Sequence, residues 1–297
     1  MTGGGLTNRP RFTPKSVLRF MLGDWHENLG STTMIRTSIT LIPIAALLAL
    51  ASPATPVAAG EQTMVKVGVP LQRMDLLRPG VHRYLRYKVE GDRRELIDIW
   101  TRRISFETFE GKKALHISQR WDEVGEPLTV LEQDSWFEAG TFRPLTHKRR
   151  LTKGEEITMK FYRFLPDAIV GVPEMEGNLA KDYKVASNEP MFNFETDMEL
   201  LQALPLAEGY EANLPFADAG ITDPNRYVFK VAGSAVIPGP DGRPVDCWLI
   251  TADYNKGKIR ARFWFDKRSQ VMLHEESPLD EGGMLVKTLV GAESTDL

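Results

Sequence analysis

Lys258-Ile259-Arg260-Ala261-Arg262-Phe263-Trp264-Phe265 decides the fold. Ile259, Ala261, Phe263 and Phe265 occupy alternate positions, with Lys258, Arg260 and Arg262 between them. A period of two is sorted onto opposite faces only by an extended strand. One face then meets water and the other an apolar interior, the pattern of an antiparallel sheet. Residues 157–162 repeat it, with Ile157, Met159 and Phe161 assigned to the inner face and Thr158, Lys160 and Tyr162 to the outer.

Working outward from these two strands, further runs rich in aromatic and β-branched residues cover 84–89, 95–106, 114–121, 128–137 and 142–151. A second series covers 210–216, 227–236, 245–251, 271–276 and 284–290. The turns between them are polar, among them Glu110-Gly111-Lys112, Gly239-Pro240-Asp241-Gly242 and Asn255-Lys256-Gly257. Such spacing, with no helices between strands, predicts hairpins in a meander. One helix interrupts them. Phe194, Met198, Leu201 and Leu204 form an i, i+4, i+7 stripe, with Thr196 and Glu199 placed as a capping box and Pro205 closing the segment. A short helical turn is expected around Leu71–Leu77.

About twelve strands with one greasy face cannot lie flat. The expected fold class is therefore mainly β: one large curved antiparallel sheet, a half-barrel or open barrel, with the amphipathic helix covering its concave side. The large apolar side chains exceed what a thin layer needs. Trp100, Met159, Phe161, Phe194, Met198, Leu201, Trp248, Phe263 and Phe265 are the candidate lining of a ligand cavity in the curl. A dry, fully packed core is the competing reading of the same residues.

Residues 34–59, MIRTSITLIPIAALLALASPATPVAA, have the form of a cleavable secretory signal. Arg36 supplies the positive region, Ile39–Leu50 the apolar region, and Val57-Ala58-Ala59 the small residues before a cleavage site. Twelve apolar residues reach about 18 Å as a helix, against a bilayer core of about 30 Å. No transmembrane anchor is expected after cleavage. Met34 reads as the natural start, with 1–33 an upstream extension, 60–80 an N-terminal extension and 81–297 one β domain. The expected location is the periplasm or the exterior.

The full chain carries 37 basic and 40 acidic residues; beyond residue 59 the counts are 32 and 38, a net charge of −6. This mild acidity disfavours nucleic acid as a partner. Cys247 alone forms no internal disulfide, and its place between Val245 and Leu249 marks it as a small buried hydrophobe.

Tyr227-Val228-Phe229-Lys230-Val231-Ala232-Gly233, the Trp248-Leu249-Ile250 strand and Phe263-Trp264-Phe265-Asp266-Lys267-Arg268-Ser269-Gln270-Val271 carry a resemblance. Over about 80–291 the chain resembles the bacterial periplasmic domains grouped as DUF3108-like, similar in shape to the lipoprotein carriers LolA and LolB. The resemblance implies a curved sheet and brings no catalytic residues.

Motifs for chemistry are sparse. His26, His82, His116, His147 and His274 fall in no metal-ligand spacing, and His116 alternates onto a solvent face. Gly233-Ser234-Ala235 lacks the second glycine of a nucleophile elbow, and no phosphate-binding glycine loop is present, so no cofactor is expected. Glu132, Asp134 and Glu138 share a face with Trp136 and offer a carboxylate set for glycosides or an ordinary solvated strand. His147-Lys148-Arg149-Arg150 and the Lys258, Arg260, Arg262, Lys267 and Arg268 cluster offer anion contacts or plain surface charge. Three functions follow: a binding or carrier domain for an apolar or lipid-like ligand, a structural module meeting an envelope protein partner, or a hydrolase with a site scattered over loops.

Overall fold

The computed structural model describes residues 62–254, 260–279 and 282–294. The signal segment 34–59, Lys258, Ile259 and the Asn255–Gly257 turn lie outside them. A single sheet holds sixteen strands. After β1 (Thr63–Met64) and a 3-10 turn at Met74–Leu76, the first meander runs through β2 (Gly80–Glu90), β3 (Arg93–Phe109), β4 (Lys112–Glu123), β5 (Thr129–Glu138), β6 (Pro144–Lys153) and β7 (Glu156–Phe164). Short strands β8 (Ala168–Gly171), β9 (Lys184–Ala186) and β10 (Phe192–Asn193) lead to a 3-10 turn at Phe194–Thr196 and helix α1 (Asp197–Gln202). The second meander is β11 (Glu211–Asp218), β12 (Thr222–Pro238), β13 (Pro244–Asp253), β14 (Arg260–Asp266), β15 (Met272–Pro278) and β16 (Met284–Ser294).

Adjacent hairpin strands pair antiparallel, and β16 pairs with β2 to join the two meanders at the middle of the sheet. The sheet is open: β9 forms one end, while β1 and β10 both run parallel to β11 at the other. These two parallel contacts and the four short strands were not foreseen, because two- to four-residue strands carry too few positions to show a period. No helix among the described residues is long and apolar enough to cross a membrane.

The helical segment is shorter than the apolar stripe predicts and is composite, a 3-10 turn followed by α1. Asn193 accepts from the Glu195 amide at 3.3 Å, whereas Thr196 makes no side-chain cap. The expected capping box is absent because Glu199 is drawn inward to Arg102. Met198, Leu200 and Leu201 are buried in the main core cluster with side chains of both meanders, so the plug covers the concave side as the stripe predicts.

The strand at 156–164 has its faces reversed from expectation. Tyr162 pairs with His147, and Lys160 with Arg149, on the inner face of β6. Tyr162 is buried in a small cluster with Ile169, Ala180, Met191, Ala217 and Ala219. Ile157, 54% exposed, lies on the outer face with Met159 and Phe161, and a loop through Asn178 covers part of it. Alternation shows that two faces exist; neighbouring strands decide which is inner.

Candidate ligand site inside the curl

The interior is apolar on one wall and charged on the other. On the β11–β14 wall, Leu214, Phe216, Phe229, Ile250, Phe263 and Phe265 are each at most 2% exposed. Phe194 from the plug lies among them, its ring 5.1 Å from Phe216, 5.3 Å from Tyr227 and 5.5 Å from Tyr254.

On the opposite wall, register lines inner side chains into three rows. The first crosses five neighbouring strands as Glu123, Asp98, Arg86, Lys287 and Glu275. The second is aromatic, Trp121, Trp100 and Tyr84. The third is Arg149, Gln133, Gln119, Arg102 and His82. Because side chains repeat every second residue along each strand, the aromatic row is held between the two polar ones.

Each buried basic group in these rows has an acidic partner. Arg86 Nε donates to both Asp98 oxygens, at 2.8 and 3.0 Å. Lys287 Nζ lies 2.7 Å from Glu275, which also accepts from Ser277 at 2.9 Å. Arg102 Nε donates to Glu199 at 2.7 Å and its Nη1 to Gln119 at 2.7 Å. Trp100 stacks on Trp121 at 5.3 Å and 15°, with Arg102 4.4 Å, Lys287 5.3 Å and Arg86 5.8 Å from its ring. Such contacts favour cations held over indole faces.

The third row fastens the plug. Gln119 Nε2 donates to the Glu195 carbonyl at 2.9 Å, and Gln133 Nε2 to its carboxylate at 2.8 Å. Arg149 pairs with both Glu195 and Asp218, joining β6 to the far end of the sheet. The seam there is closed by side chains rather than by a ladder. Ser135 and His147 Nδ1 lie 2.9 Å apart, with the Asn193 amide donating to the same nitrogen at 3.2 Å. Both Ser135 and His147 are 0% exposed, so this pair is a structural joint of the seam. Burial, then the nearby Arg149 charge, holds the imidazole well below its ordinary range.

Two carboxyls of the interior, Glu123 and Asp197, keep some accessible surface, yet burial pushes each up to about 7. The Asp98 charge adds to the effect on Glu123, and Glu275 to that on Asp197. Tyr254 hydrogen-bonds Asp197, and burial raises its phenol. Leu131 and Leu151, partly buried, stand on the same inner face as Trp121.

Of the nine residues read from sequence, the structure brings Trp100, Phe194, Met198, Leu201, Phe263 and Phe265 into one buried cluster. Trp248 packs on its edge with Lys267 Nζ 4.4 Å above the ring. Met159 and Phe161 belong to neither buried cluster. The buried ion pairs were missed, although Arg86, Asp98, Arg102 and Glu275 sit at the same alternating positions as Tyr84, Trp100 and Leu273. Alternation alone does not show the partner that lets a charged side chain be buried.

The other sequence candidates resolve into pairs. Glu132 meets Arg120 and Arg150, and Glu138 meets Arg143. Asp134 meets His116, which is half-buried and stacks on Trp136 at 4.1 Å. The 147–150 cluster splits by alternation, with His147 and Arg149 inside and Lys148 and Arg150 outside. Cys247 is buried. Among the described residues no group of three or more His, Cys, Asp or Glu is placed to hold a metal ion. An outer cleft of about 970 Å³ lies between 184–191 and 223–226 and is crossed by the Glu189–Arg226 pair; none of the nine residues lines it.

A family profile described as "Protein of unknown function (DUF3108)" matches residues 87–287. No curated protein matches the chain. Among solved structures it is similar to a beta-barrel-like protein of domain of unknown function DUF1849 from Brucella abortus. That match has 12% identity and a TM-score of 0.48, and covers 74% of this chain and 99% of the other.

Proposed function

This chain belongs to the DUF3108 family, and from its interior we propose that it is a carrier domain binding an amphiphilic, lipid-like ligand in the curl of the sheet. One observation carries the reading: three ion pairs, two of them fully buried, surround the Trp100–Trp121 stack inside a sheet whose other wall is aromatic. Buried ion pairs add little to stability and are commonly replaced by apolar residues at no loss. An interior that keeps them next to aromatic side chains suits a ligand with a polar and an apolar part. In this reading the plug shares the interior with the ligand, and Phe194 and Met198 form part of the apolar surface it meets. Export after removal of 34–59 belongs to this proposal, and N-terminal sequencing of the native protein tests it.

Native mass spectrometry of protein purified from its host tests the carrier role. A bound lipid-range mass, or uptake of an apolar dye competed by lipid, is the expected result. Ligand-free protein without dye uptake sinks it. The close ring packing around Phe194 favours a second reading, an interaction module of the envelope with a filled core. A specific protein partner recovered with ligand-free chain would select it.

A further inference from the structure

We infer that the polar part of the ligand is an uncharged oxygen acceptor, an ester or ketone carbonyl, received by the indole N–H of Trp100. The inference rests on the carrier reading and names the ligand class for that site. Trp100 is 5% exposed, and its Nε1 has no hydrogen-bond partner among the described residues. A buried donor left unmade costs free energy, and a ligand acceptor removes that cost. Around it the charges are already matched: Arg86 by Asp98, Lys287 by Glu275, Arg102 by Glu199. A ligand carboxylate or phosphate would find each of these cations already matched. A ligand ammonium would be held beside Arg86, Arg102 and Lys287, each within 6 Å of the Trp100 ring. What the surroundings of Trp100 lack is one acceptor, not one charge. The apolar remainder then lies against Trp121, Leu131 and the plug side of the wall.

Binding of decane, methyl decanoate, decanoate and decylamine to the full mature chain tests this, by competition with an apolar fluorescent dye. Methyl decanoate is expected to bind about tenfold more tightly than decane, the worth of one hydrogen bond to a buried donor. Decanoate and decylamine are expected to fall below the ester. Trp100→Phe should bring the ratio of ester to decane affinity to about one, whatever its effect on decane binding itself. Should that variant not fold, the indole N–H resonance of Trp100 in the unaltered chain, moving with ester and not with decane, gives the same answer. Equal binding of ester and decane, or tightest binding of the acid or amine, overturns the acceptor inference while the carrier reading stands. Failure of all four to bind overturns the carrier reading itself.

Discussion

Arg102 and Glu199, 97 residues apart in sequence, form a two-pronged ion pair inside the curl, with the Arg102 side chain 1% and the Glu199 side chain 4% exposed. The pair ties the plug helix to the charged wall. Removing one partner leaves the other buried and unmatched, which costs about 3–5 kcal/mol. Glu199→Ala should therefore lower the urea midpoint sharply, while Arg102→Met combined with Glu199→Leu should recover most of the loss. A Glu199→Ala cost under about 1 kcal/mol would show that the pair does not anchor the plug.

His147 makes the seam acid-sensitive. Its folded pKa is depressed by burial and by Arg149, while the unfolded value is about 6.5. The unfolded chain then takes up a proton first, so stability is lost as pH falls below about 6.5. Unfolding free energies at neutral and mildly acidic pH should diverge, and His147→Gln should shrink the difference. An unchanged difference contradicts the assignment.

Asp197 works in the opposite sense. Its carboxyl is raised to about 7 in the fold, against about 3.9 unfolded. The native chain holds the proton over that window, so the stability gained from it fades as pH climbs from about 4 to about 7. Relative to Asp197→Asn, the unaltered chain should weaken across this range and level off above it. Parallel curves for the two proteins would refute this.

Two glycines are fixed by close approach. A Cβ on Gly171 would stand 1.7 Å from the Ala180 carbonyl oxygen. One on Gly220, whose φ is +79°, would stand 2.2 Å from Tyr162 Oη. Gly171→Ala should cost about 3 kcal/mol or more by backbone displacement, read as a fall in Tm. Gly220→Ala adds left-handed strain to a contact that Tyr162 can partly yield, so its cost should be smaller.

Phe194 is the plug's main apolar anchor. Phe194→Ala should destabilise the chain by about 3–5 kcal/mol through lost burial and the cavity left behind. Differential scanning calorimetry checks it, and a loss under about 1 kcal/mol would mean that the plug sits loosely.

The long strands and their turns were legible because period two survives over seven or more residues: Ala261, Phe263 and Phe265 are buried as alternation requires. Alternation at 157–162 was equally clear but could not say which face was inner. That was set by the pairing of Tyr162 with His147. The ion-pair rows were illegible for a different reason. Glu123, Asp98, Arg86, Lys287 and Glu275 come from five strands, and only register aligns them. Glu199 looked like a helix cap because sequence spacing shows the cap's geometry and not the competing guanidinium across the interior.

The pairing of β16 with β2 also governs when the native state can exist. The central junction of the sheet waits for β16, so until residues 284–294 are available the two meanders stand as unjoined halves. A chain lacking that one strand would keep both meanders yet lose the joint between them, so truncation before residue 284 should leave separate, loosely held halves.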